Sequence, residues 1–102
     1  MRLDIIQGDT YRRLIWLDKD PDDVFQSVSL YVVSGNPYII PLELVDEEEN
    51  IWQLVIPSEI TSNMFVGDFR CYIRVELTNT LVHIYDDINT IRVNYKYNKE
   101  CN

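Results

Sequence analysis

His83 is the only histidine in the chain, so any serine or cysteine nucleophile that works through a histidine base must use it. It lies in residues 81–85 (LVHIY), out of phase with Val82 and Ile84, which predicts a solvent-facing strand histidine. No Gly-x-Ser-x-Gly sequence is present, and Cys71 falls in the inward set of its own strand. We therefore predict no catalytic residue and expect that the protein is not an enzyme.

The sharpest candidate for a metal site is the loop of residues 18–23, where Asp18, Asp20 and Asp22 alternate. Calcium takes six to eight oxygen ligands, and alternating carboxylates on a loop supply several of them. The pattern of an EF-hand is absent, because Asp23 stands at the glycine position and Ser29 at the position of the bidentate glutamate. The alternative is a charged turn that keeps the sheet soluble, and we predict no cofactor.

A second set of residues could bind a protein. Arg70, Tyr72 and Arg74 alternate with apolar residues and therefore share one face of a strand. Arginine and tyrosine are enriched in protein interfaces, so this face is the predicted interaction surface. Cross-strand pairing with Glu76 and Glu43 explains the same residues without a partner. The acidic run of residues 46–49 is either a solvated loop tip or a contact for a basic partner.

The elements that hold these residues are predicted to be strands. The chain contains no alanine and is rich in isoleucine, valine, leucine and tyrosine, a composition that favours strands over helices. Turn signals recur about every ten residues, and residues 69–77 alternate strictly between apolar and polar types. We predict an all-β fold, an antiparallel immunoglobulin-like β-sandwich of seven to eight strands in one domain, residues 1–102.

Three local features refine this prediction. Pro41 cannot donate a ladder hydrogen bond, so the strand at residues 38–45 is expected at a sheet edge. Residues 57–63 are the only stretch expected to form a helical turn, with Ser58 as the candidate cap. Residues 81–85 and 88–97 are expected to form a hairpin across Asp86 and Asp87.

The net charge, the N-terminal residues and the cysteines indicate which classes of partner to expect and in which compartment the protein is made. Seventeen acids against nine lysines and arginines give a net charge of −8, which argues against binding to nucleic acid or an anionic membrane. The N-terminal residues do not show the charged segment followed by an apolar segment that is typical of a secretory signal peptide, so we expect synthesis in a cytoplasm. Cys71 and Cys101 lack metal-site or Cys-x-x-Cys spacing and are expected to be free thiols.

Two motifs carry a resemblance to a known family. The N-terminal strand runs into Gly8-Asp9-Thr10-Tyr11, and a Pro-x-x-x-Thr turn beginning at Pro57 leads to Gly67-x-Phe69 at a long strand. The chain resembles the small immunoglobulin-like domains of tailed-phage virion proteins, including the N-terminal domain of baseplate upper proteins. The resemblance covers almost the whole chain.

The resemblance implies a virion protein made in the host cytoplasm that acts through other virion proteins or as a homo-oligomer. Because no receptor-binding region follows the last strand, a capsid decoration or auxiliary subunit is favoured over a complete baseplate protein. The alternative is a carbohydrate- or ligand-binding sandwich that uses Trp16, Trp52 or loop tyrosines as platforms.

Overall fold

The computed structural model describes residues 1–96 and confirms the all-β fold. These residues form nine strands and one short helix. Side chains alternate between buried and exposed along several strands, so that the apolar side chains lie between two sheets. The elements are β1 (Arg2–Ile6), β2 (Tyr11–Trp16), β3 (Phe25–Val33), β4 (Tyr38–Pro41), β5 (Glu43–Asp46), β6 (Ile51–Ile56), α1 (Ser58–Thr61), β7 (Gly67–Leu77), β8 (Val82–Tyr85) and β9 (Thr90–Asn94).

The strands divide into a six-stranded and a three-stranded sheet. The larger has the order β1-β9-β7-β3-β4, with β8 also paired to β7, and the smaller has the order β2-β6-β5. All pairings but one are antiparallel, as predicted; the exception is β1, which runs parallel to β9.

The predicted count of seven to eight strands is too low because the segment at residues 38–45 crosses between the sheets. β4 pairs with β3 in the larger sheet, whereas β5 pairs with β6 in the smaller one. Leu42 lies between them, buried, and its N–H donates to the carbonyl of Val28 over 2.8 Å. The expected edge position holds for both halves, because β4 and β5 are each the last strand of their sheet.

The hairpin predicted across Asp86 and Asp87 is also wrong. β8 and β9 do not pair with each other; both pair with β7, β9 along its first part and β8 along its second. The hairpin is instead formed by β7 and β8, where the N–H of Leu77 donates to the carbonyl of Leu81 over 2.8 Å. Asp86 and Asp87 therefore connect two strands that run in the same direction beside β7, and the chain does not reverse direction there.

The predicted face assignment for β7 is confirmed. Cys71, Ile73, Val75 and Leu77 are buried, while the residues between them are more exposed. Phe69 is only partly buried but packs against the same core. Because β7 is paired to β3 along nearly its whole length, its polar side chains are fixed on the outer face of the larger sheet.

Candidate protein-binding surface

Tyr31 and Tyr72 form the centre of the outer face of the larger sheet. They are directly opposite each other in the β3–β7 pairing, and their rings stack with centroids 5.4 Å apart and planes 17° apart. The guanidinium carbon of Arg74 lies 6.0 Å from the centroid of the Tyr31 ring, within cation–π range. Two strands therefore assemble a rigid aromatic and cationic group, of which the sequence pattern identified only the β7 half.

Arg70 differs from the other arginines on this face. Arg74 pairs with Glu76 over 3.5 Å, Arg92 with Asp68 over 3.2 Å, and Arg2 with Asp4 over 3.2 Å. Arg70 forms no ion pair with any of residues 1–96, although it is exposed between Asp68 and Tyr72 on the same strand. We call the group of Tyr31, Arg70, Tyr72 and Arg74 the tyrosine–arginine face. It brings together all three residues of the predicted interaction surface.

Apolar side chains flank this group on both sides. Ile39 of β4 lies opposite Tyr31, Val33 lies opposite Arg70, and Ile84 of β8 lies opposite Arg74. All three are exposed, between 52% and 55%. The outer side of the sheet thus offers apolar surface around an aromatic and arginine centre, the composition found in the middle of protein interfaces.

The outer side of the larger sheet, which includes the tyrosine–arginine face, is much less acidic than the chain as a whole. On the outer side of the larger sheet, four arginines stand against three carboxylates, whereas the whole chain carries −8. The excess of acidic residues is carried by the loops, since the strands of the smaller sheet hold two arginines against two carboxylates. The charged residues on the outer side of the larger sheet are Arg2, Asp4, Asp68, Arg70, Arg74, Glu76 and Arg92.

The loop of residues 18–23 does not bring the candidate calcium ligands together. Among residues 1–96, no three side chains of His, Cys, Asp or Glu are grouped as a metal ion requires. Asp18, Asp20 and Asp23 line a shallow depression with His83 and Tyr85; Asp22 is not among its lining residues. The geometry therefore gives the candidate calcium site no support.

Tyr85 holds this loop against β8. Its hydroxyl donates to the carbonyl of Asp18 over 2.6 Å. Burial raises the pKa of Tyr85, and the negative charges of Asp23, Asp18 and Asp20 raise it further, so the hydroxyl stays protonated as a donor. The loop carboxylates therefore keep the hydroxyl protonated, and able to donate this hydrogen bond, to higher pH.

His83 is half-exposed, as predicted, and its Nε2 lies 3.8 Å from a carboxylate oxygen of Asp23. Its neighbours Val82 and Ile84 are exposed too, on the opposite side of the strand, so the alternation in β8 does not mark a core face. Cys71 is buried, and burial raises the pKa of its thiol to about 11, partly offset by the N-terminal ammonium. Neither residue is placed as the base or nucleophile of a catalytic pair. Cys101 lies outside the described residues.

The two tryptophans have different environments. Trp52 is buried and its Nε1 donates to Oδ1 of Asn50 over 2.8 Å, which leaves it no free ring face as a ligand platform. Trp16 is 63% exposed at the edge of the smaller sheet. It borders a cleft of about 260 Å³ between β2 and the larger sheet, where Leu14, Ile73 and Tyr85 also contribute.

Asn50 is a structural residue that the sequence analysis missed. Its backbone is left-handed, with φ of 53°, and its buried side chain donates from Nδ2 to the carbonyl of Leu17 over 2.7 Å. Its own carbonyl accepts from the N–H of Leu17 over 3.1 Å. The signal was present in the sequence, since asparagine after four acids is a residue type that tolerates a left-handed turn.

The two motifs of the resemblance meet in the structure. Thr61, fully buried, accepts at its hydroxyl from the N–H of Gly8 over 3.1 Å and donates to the carbonyl of Asp9 over 2.8 Å. Gly8 has a φ of 90°, so this turn needs a residue without a side chain. Ser58 is not the helix cap; Pro57 occupies that position and α1 has no side-chain cap.

A comparison of the chain with protein-family models gave no match, and a search of curated proteins found no significant similarity. Within residues 1–96, no helix has the length and apolar character needed to cross a membrane.

Proposed function

We propose that this protein is a non-catalytic structural module that binds another protein through the tyrosine–arginine face. The observation that carries the proposal is the stack of Tyr31 on Tyr72 with Arg74 beside it, on an uncovered sheet surface with exposed apolar flanks. Tyrosine and arginine are the residue types that most often dominate the binding energy of an interface.

The way these side chains are held favours binding. Both tyrosines stand on paired central strands, and stacking limits their rotation before a partner arrives. Side chains already ordered in the free protein lose less conformational entropy on association. A partner that brings a carboxylate opposite Arg70 would gain a charge-assisted hydrogen bond without breaking an ion pair among residues 1–96.

The proposed partner is another virion protein of a tailed phage, and the proposed location is the virion. This part of the proposal rests on the resemblance to phage immunoglobulin-like domains. In the structure, Thr61 and the Gly8–Asp9 turn join the two motifs on which that resemblance rests. A capsid decoration or auxiliary subunit fits better than an enzyme, since His83 and Cys71 are not arranged for catalysis.

The test is mass spectrometry of intact particles purified from the source virus. We expect the chain at many copies per particle. Particles of a virus that encodes the Arg70→Glu variant should contain about tenfold fewer copies of the chain, because the reversed charge repels the partner's carboxylate. Glu48→Lys, in the acidic loop away from this face, is the matched control and should leave incorporation unchanged. Absence of the chain from wild-type particles would refute the virion assignment.

A carbohydrate- or ligand-binding module is the second candidate, and the exposure of Trp16 beside an apolar cleft is the observation that favours it. A glycan array with the wild-type protein and Trp16→Ala distinguishes the two functions. Binding of one glycan class that Trp16→Ala abolishes would support this candidate. No binding to any glycan would remove it.

A further inference from the structure

β8 is the one edge strand in the described part of the chain that lacks protection against pairing with another strand. Natural edge strands usually carry charged residues or proline that prevent such pairing. Four of the five edge strands among residues 1–96 follow this rule, whereas β8 has the sequence VHIY. The protecting residues are Arg2 and Asp4 in β1, Arg12 and Arg13 in β2, Pro41 in β4, and Glu43 and Asp46 in β5.

Within residues 1–96, the backbone groups on the open side of β8 have no hydrogen-bond partner. The carbonyl of Leu81 accepts from the N–H of Leu77, so the backbone groups of residue 81 point toward β7. In an antiparallel ladder these directions alternate along the strand. The backbone N–H and C=O groups of His83 and Tyr85 therefore also point toward β7. Those of Val82 and Ile84 point to the open side.

The side chains around the open edge of β8 include exposed apolar ones that an added strand would cover. Val82 is 43% and Ile84 55% exposed on the outer side of the sheet. On the inner side, the cleft bordered by Trp16 and Tyr85 opens between the edges of β8 and β2. A strand added to β8 would place alternate side chains in this cleft and beside Ile84.

We infer that the open edge of β8 accepts an extended segment of a partner protein as an additional strand. This occupant has apolar residues at alternate positions and a lysine or arginine at the end that lies near Asp18, Asp20 and Asp23. Three carboxylates outnumber the one ammonium, that of Lys19, in the same depression, so charge complementarity favours a basic end. The inference goes beyond the proposed function, because it uses the backbone of β8 rather than the tyrosine–arginine face, and either can fail without the other.

The experiment selects displayed random decapeptides on the immobilised full-length chain. We expect enriched peptides with alternating apolar residues and a basic end. A synthetic copy of the best peptide should slow amide hydrogen exchange of Val82 and Ile84 by about tenfold or more, which corresponds to about 1.4 kcal/mol. Amides of β3 should be unaffected, because that strand is already paired on both sides.

Two substitutions of one residue provide the matched comparison. Ile84→Pro removes an N–H from the open side and leaves the ladder to β7 intact, so it should weaken peptide binding about tenfold or more. Ile84→Thr keeps that N–H and should bind within about threefold of wild type. If Ile84→Pro fails to fold, the exchange of Val82 and Ile84 in the wild-type protein decides. No enriched peptide, or enriched peptides that leave these two amides unprotected, would overturn the inference.

Discussion

At the scale of single residues, Asn50 stabilises the turn before β6 through both its backbone and its side chain. It combines a left-handed backbone with two buried side-chain hydrogen bonds, to Leu17 and from Trp52. We expect Asn50→Ala to lower the free energy of unfolding by about 2–4 kcal/mol, because it leaves both partners unsatisfied and strains the backbone. Urea denaturation measures this loss.

Asn50→Gly separates the two contributions. Glycine adopts a positive φ without strain, so this variant should lose the hydrogen bonds only and be about 1 kcal/mol more stable than Asn50→Ala. Equal stabilities of the two variants would show that backbone strain contributes nothing at this position.

Cys71 gives the protein a specific pH dependence. Its pKa is raised to about 11 from an ordinary value of 9.0, so the thiol ionises more easily in the unfolded chain than in the folded one. The contribution to stability is therefore complete below about pH 9 and is lost as the pH rises toward 11. Tyr85, whose pKa is also raised, acts in the same direction.

The measurement is the free energy of unfolding of wild type and Cys71→Ala between pH 8 and about pH 11. We expect the wild type to lose stability more steeply than the variant over this range. Cys101→Ser serves as the control, with Cys71 as its only remaining cysteine. Parallel curves for wild type and Cys71→Ala would contradict the assignment of the slope to this thiol.

At the scale of elements, α1 matters because it carries Thr61 to the turn between β1 and β2. Thr61→Val keeps the shape of the side chain and removes the hydroxyl, leaving the N–H of Gly8 and the carbonyl of Asp9 without this partner. We expect a loss of about 1–3 kcal/mol in thermal or urea unfolding.

Thr61→Ser is the control, since it retains the hydroxyl and removes one methyl group. Its cost should be about 1 kcal/mol, from the lost burial alone. If Thr61→Ser were as damaging as Thr61→Val, packing rather than hydrogen bonding would connect α1 to the turn.

The long strand β7 gives a second test at this scale. Ile73 is 1% exposed, so Ile73→Ala should cost about 2–5 kcal/mol of unfolding free energy. Tyr72→Ala, on the outer face, should cost clearly less, mainly the stacking with Tyr31, about 0.5–1.5 kcal/mol. The reverse order would mean that the strand is shifted by one residue and that every side chain on it faces the other way.

The elements also show which features the sequence could predict. The alternation in β7 identified its core face because nine residues in a row follow it. The four residues of β8 were too few: Val82 and Ile84 alternate with His83 but are exposed, since the strand lies at an open edge. The crossing at Leu42 was not visible because apolar residues continue at alternate positions through both strands.

The same limit applies to the candidate site. The Arg70, Tyr72 and Arg74 pattern was evident within one strand, and their common face is observed. Tyr31 was not predicted to join them, because its partner strand and register follow from the tertiary fold. The loop of residues 18–23 shows the opposite outcome: close spacing in the sequence did not bring Asp18, Asp20 and Asp22 to one point.

At the scale of the whole molecule, an acidic domain carries one nearly neutral face. The net charge of −8 opposes association between copies of the chain, whereas the outer side of the larger sheet, which includes the tyrosine–arginine face, carries four arginines against three carboxylates. Binding of a carboxylate-bearing partner to this face should weaken with salt only modestly, because the decisive contacts are aromatic and apolar. The central claim is that this face, and not the acidic loops, contacts the partner.

Site-specific photo-crosslinking in assembled particles tests that claim most directly. A benzophenone amino acid replaces Tyr72 in one variant and Glu48, in the acidic loop, in the other; the particles are irradiated and the adducts are identified by mass spectrometry. We predict that position 72 cross-links to another virion protein and that position 48 does not. Adducts from position 48 with none from position 72 would contradict the claim.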